Sequence, residues 1–150
     1  MAKAKTTKPD ATPIPDDPTP EERLHTIRSI LRHKIDTSGA VIASLSKDLA
    51  DPDRRPLETL AWSSRAFEAA GVLQVAQEIS QRLDTGESIV DVHANIQREA
   101  LRSARSASSS TSLASNFAAT CRTMALAEFE ELLRYDAKKL EQAPTKKTEA

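Results

Sequence analysis

Residues 98–115, REALRSARSASSSTSLAS, decide how many helices the chain builds. Six of the seven residues from 106 to 112 are Ser or Thr. Their hydroxyls compete with helical hydrogen bonds and favour caps and turns. Without a break, one helix would run from residue 88 to about residue 140, about 80 Å at 1.5 Å per residue. A compact chain of 150 residues has a radius of gyration near 15 Å. A rod of that length would force an elongated or oligomeric coiled coil. A break at 106–112, with Ser110 or Thr111 capping the next helix, gives a four-helix bundle instead. The break is the reading adopted, and the continuous rod is its alternative.

Working outward, the remaining boundaries carry stronger punctuation. Thr19-Pro20-Glu21-Glu22 has the form of a capping box, with Pro at the first helical position and acid at the positive end of the dipole. Leu24, Ile27, Leu31, Ile35, Ile42, Leu45 and Leu49 then recur at helical spacing, Ser38 filling the gap. This predicts one helix over 20–50, with Asp36-Thr37-Ser38-Gly39 the place where it would divide if it divided. Asp51-Pro52-Asp53 ends it. A second helix over 56–84 carries Leu57, Leu60, Ala61, Phe67, Ala70, Leu73, Ala76, Ile79 and Leu83, and Gly86 is available for a left-handed cap. Ser88 and Asp91 open a third helix over 88–106, with Ile89, Val92, Ile96, Ala100 and Ala104 on one side. A fourth over 111–141 places Leu113, Phe117, Cys121, Met124, Phe129, Leu132, Leu133 and Leu140 inward. Residues 1–18 and 143–150 are polar and Pro- or Lys-rich, and are expected to be disordered tails.

Composition agrees with an all-α fold of four amphipathic helices in an antiparallel bundle. Aromatics make up 3% of the chain and glycines number three. A core of Leu, Ile, Val and Ala suits packed helices, whereas strands favour aromatic and β-branched residues. A net charge of −1 supplies no global attraction to nucleic acid or to an anionic membrane. A single cysteine, no apolar run of membrane-spanning length and no secretory signal point to the cytoplasm.

Chemical motifs are scarce. His25, His33 and His93 stand too far apart, or on the wrong faces, for a metal pair at i, i+4. No glycine-rich phosphate loop and no nucleophile elbow occurs. Cys121 reads as a buried small hydrophobe. The expectation is therefore a non-enzymatic interaction or assembly protein without cofactor or metal, self-associating or binding another protein, as a scaffold, adaptor or accessory subunit, with self-association the first expectation. Leu24, Ile27, Leu31, Ile35, Ile42 and Leu45, together with Trp62, are the candidate oligomer interface. Leu24, Leu31 and Leu45 share one heptad phase of a coiled coil. Arg98, Arg102 and Arg105 lie at i, i+4 and i+7 and form an alternative, a nucleic-acid or phosphate contact. No aromatic residue interleaves with them for base stacking. A peripheral coat on a lipid or polymer granule is a further alternative, on composition alone.

Overall fold

The computed structural model describes residues 17–50, 56–109 and 112–142. Four helices follow in order: α1 (Pro20–Leu49), α2 (Pro56–Asp84), α3 (Ile89–Ser109) and α4 (Leu113–Gln142). No strand occurs among the described residues. The two expected tails lie outside them apart from Asp17 and Pro18, and the side chains of Leu49, Leu57 and Leu60 lie outside them too.

Each described boundary has a local cause. Thr19 Oγ1 accepts from the Glu22 amide at 3.2 Å, and the Glu22 carboxylate accepts from the Thr19 amide at 2.7 Å. α1 then passes through Gly39 without a break. The chain leaves α2 through a Schellman motif: Gly86 has φ 89°, its amide donates to Leu83, and the Glu87 amide donates to Arg82. Ser88 Oγ accepts from the Asp91 amide at 3.1 Å to start α3.

The Ser-rich break is present but displaced. Within α3, Ser108 donates to the Ala104 carbonyl and Ser109 to the Ser106 carbonyl, so these hydroxyls are satisfied on the helix itself. The helix therefore outlasts the expected end at 106. The expected caps, Ser110 and Thr111, lie outside the described residues. Ser112 caps α4: its hydroxyl accepts from Ser115, and its carbonyl from Asn116 at 2.9 Å.

α1 packs on α2 and α3 on α4, making two antiparallel hairpins. The hairpins join mainly through α2 and α4, which run in the same direction, and the α2–α3 and α1–α4 edges touch only lightly. The cross-section is thus a flattened rhombus with α2 and α4 on its short diagonal. The two central helices bury the same spacing of residues. Gly71, Val75, Ala76, Ile79 and Leu83 on α2 correspond to Cys121, Ala125, Leu126, Phe129 and Leu133 on α4. A Cβ on Gly71 would stand 3.2 Å from the Cys121 carbonyl carbon and oxygen. The absent side chain is what lets the two backbones approach.

Ile27 and Leu31 of α1 and Ile89, Val92 and Ile96 of α3 complete this core. It occupies the half of the bundle that holds the N-termini of α1 and α3. Past the Gly71–Cys121 crossing, Leu45 is the one fully buried side chain among the described residues. Several positions expected inside are therefore outside: Phe67 is 43% exposed, Met124 63% and Leu113 87%, and Ala61, Ala70 and Ala104 are exposed as well. Phe117 of α4 meets the Phe67 ring, and these positions otherwise face outward. Conversely, Val75, Ala125, Leu126 and Ala137 are core residues that the sequence stripes omitted.

An ionic clamp closes the packed end. Arg23, 8% exposed, donates to the Asp136 carboxylate at 2.5 Å and to the Pro18 carbonyl at 3.0 Å. Asp17 pairs with Lys139, and the Tyr135 ring lies 5.3 Å from each of Arg23 and Lys139. Asp17 and Pro18, expected in the tail, are thus pinned to the bundle.

The two helical glycines should respond oppositely to substitution. Gly71→Val is expected to lower stability by about 1–3 kcal/mol through forced separation of α2 and α4. Gly39 has no atom within 4 Å of a built Cβ. Gly39→Ala should raise stability by up to about 1 kcal/mol. Urea midpoints at constant m-value check both.

Candidate functional site

Where α2 and α3 diverge from the packed core, a groove of about 690 Å³ opens between α2, α3 and α4. Its floor is small and apolar, with Gly71 from α2 and Ala118 and Ala119 from α4. Phe67 stands over one end, its ring edge-on to Phe117 with centroids 5.7 Å apart. Ser103 helps hold α3 to α4 at this level, donating to the Ala119 carbonyl at 3.2 Å and accepting from Thr123 at 2.9 Å.

A chain of ion pairs crosses the groove. Arg122 forks onto Glu78 with distances of 3.2 and 2.9 Å, and its second nitrogen also reaches Glu99 at 3.3 Å. The other Glu99 oxygen accepts from Arg82 at 3.1 Å, and Arg82 lies 3.7 Å from Glu87. These groups join three helices and close on one another. They are partly exposed, so each pair contributes little alone and the network acts mainly to set geometry.

The arginines singled out in the sequence do not act as a set. Arg98 folds back along its own helix, onto the Ala94 carbonyl and Asn95. Arg102 lines the groove and Arg105 is exposed beyond it. Neither has a hydrogen-bond or ion-pair partner among the described residues. The structure places Arg102 beside Arg82 and Arg122, which spacing along one helix could not have revealed.

The helix 1 stripe serves the chain's own interior. Ile27, Leu31 and Leu45 are 1%, 0% and 4% exposed, and Leu24, Ile35 and Ile42 are half-buried. Much of the candidate oligomer surface on α1 thus faces its own chain, where α2 packs on α1. Trp62 is half-buried and lines a second hollow of about 440 Å³ with Val41, Leu45 and Val72.

His25 and His33 are exposed. His93 lies 2.9 Å from Glu130, which also accepts from Gln97 and Arg134. Cys121 is buried, and that burial, with Glu68 nearby, pushes its thiol pKa up, away from nucleophilic use. No three metal-ligating side chains converge among the described residues. No helix among them is long and apolar enough to cross a membrane. Comparison with protein families, curated proteins and solved structures finds no match.

Glu130 supplies a pH-dependent test. Hydrogen bonding by Arg134, helped by Gln97 and His93, holds its carboxyl at about 2 against an ordinary 4.5. The folded form thus favours the ionised group. Its stabilising contribution is complete above about pH 4.5 and is lost as pH falls toward 2. Glu130→Gln should be less stable than the parent at pH 7, with the gap narrowing steadily between pH 4.5 and 2. Denaturation at several pH values measures it.

Proposed function

We propose that the chain is a non-enzymatic interaction protein, an adaptor or accessory subunit of a cytoplasmic assembly, that holds a partner against the open half of its bundle. One observation carries this reading. The core fills one half of the helices, while Phe67, Leu101, Leu113 and Met124 stay 43–87% exposed, Phe67 at the rim of the α2–α3–α4 groove and Met124 at a separate hollow between α2 and α4. Large exposed apolar side chains, two of them beside concave surfaces, are the mark of an interaction site. Catalysis has less support, since Glu78 and Glu99 in the α2–α3–α4 groove are held in ion pairs and Ser103 donates to a backbone carbonyl.

Self-association is a second reading, favoured by Leu101 and Leu113 near the α3–α4 tip rather than by the α1 stripe. Nucleic-acid binding through Arg98, Arg102 and Arg105 has less support, because Arg98 is folded back onto its own helix and no aromatic residue interleaves with the three for base stacking.

A photo-crosslinking residue placed at Leu113 in cells that make the protein, with Lys138 at the packed end as control, tests the reading. Discrete adducts at 113 and none at 138 are expected. An adduct at twice the chain mass selects self-association, and another defined mass selects a different partner. Adducts absent at 113, or equal at both positions, contradict the proposal.

A further inference from the structure

We infer that the α2–α3–α4 groove receives an acidic amphipathic helix from a different protein. The inference rests on the interaction reading above and specifies the partner's chemistry. Length is the first argument. From Phe67 to Gln74 the open floor follows α2 for about 10 Å, at 1.5 Å per residue, and the ion pairs of Glu78 and Arg82 bridge the walls beyond it. Two turns of an incoming helix of about 15 residues match that floor, and the rest of it lies over the ion pairs. The Gly71, Ala118 and Ala119 floor lets the apolar side chains of such a helix descend between the walls.

Charge is the second argument. Three arginines and two glutamates line the groove. Glu78 and Glu99 are already held by Arg122 and Arg82. The uncompensated charge is Arg102 on the α3 wall, with Arg105 one turn further along the same helix. The opposite wall, Phe67, Ala70 and Gln74 of α2, is apolar or neutral. A helix with an apolar face and carboxylates along the flank nearest α3 meets both walls.

The chain itself does not offer that helix among its described segments. Glu128, Glu130 and Glu131 surround Phe129, which is 1% exposed in the chain's own core. The exposed Leu113 begins a helix with no acid in its first turn. Glu128, one turn beyond the exposed Met124, is paired with Lys34. Phe67, the exposed apolar residue with an exposed carboxylate, Glu68, beside it, is itself the rim of the groove.

The test uses two synthetic helical peptides of about 15 residues. Each carries leucines on one face; one has glutamates along a flank and the other has lysines at the same places. Binding is read by fluorescence anisotropy on the full chain, with circular dichroism confirming that each variant folds. The glutamate peptide should bind, and the lysine peptide should bind about tenfold more weakly. Arg102→Glu should invert the preference, and Ala70→Trp, at an exposed wall position, should abolish binding of both.

Equal affinity for the two peptides, or binding unchanged in Ala70→Trp, overturns the inference while leaving an interaction site elsewhere intact. Doubling of the free protein's mass with Phe67 and Arg102 protected would assign the groove to a second copy. Binding of a single-stranded oligonucleotide that Arg102→Glu removes would assign it to nucleic acid. Failure of both peptides together with absent adducts at position 113 removes both this inference and the function it rests on.

Discussion

The close approach of α2 and α4 at Gly71 is the constraint on which the rest of the structure depends. The two helices lie backbone to backbone there, and a Cβ would stand 3.2 Å from the Cys121 carbonyl, tighter than ordinary contact. From that crossing toward the packed end, Val75, Ala76, Ile79 and Leu83 meet Ala125, Leu126, Phe129 and Leu133 in matching register. α1 and α3 then lie on opposite flanks of the pair. Two hairpins joined along one diagonal leave the other two edges thin, and the α2–α3–α4 groove lies along the α2–α3 edge.

The division between a packed half and an open half follows from residue size. The packed half receives the large side chains: Ile27, Leu31, Ile79, Phe129 and Leu133. In the open half, α3 and the start of α4 carry mostly Ala, Ser and Thr, as at Ala104, Ala107, Ala114 and Ala118. These seal a two-helix hairpin but cannot reach across to α1 and α2. The larger residues there stay exposed: Leu101 and Leu113 at the surface, and Phe67 at 43% despite its contact with Phe117. A surface of that kind costs solubility when bare and contributes affinity when covered.

Helix number and most ends were legible in the sequence because caps act locally. The Thr19 box, Gly86 and Ser88 each need only their own neighbours. Gly39 left α1 intact, since the loss of about 1 kcal/mol for a mid-helix glycine is outweighed by a stripe that stays in phase across it. Facing was less legible. Phe67, Leu113 and Met124 fit a helical stripe, but a stripe shows which residues could be buried, not whether another helix arrives to bury them. Val75, Ala125 and Leu126 were missed because the α2–α4 contact rotates the inward face away from the longest apolar row. The groove was not legible at all. It takes Arg82, Arg102 and Arg122 from three helices, and Glu78 and Glu99 silence two of those charges.

Amide hydrogen exchange along the full chain tests the half-packed bundle most directly. Protection measures the free energy of opening, residue by residue. The account predicts that amides of residues 75–83, 92–97 and 125–134 exchange only through global unfolding. Those of 103–109 and 113–119, in the same two hairpin helices, should exchange far faster through local opening. Uniform protection along α3 and α4 would contradict it. The core would then extend past Gly71, and the open half would not be a surface awaiting a partner.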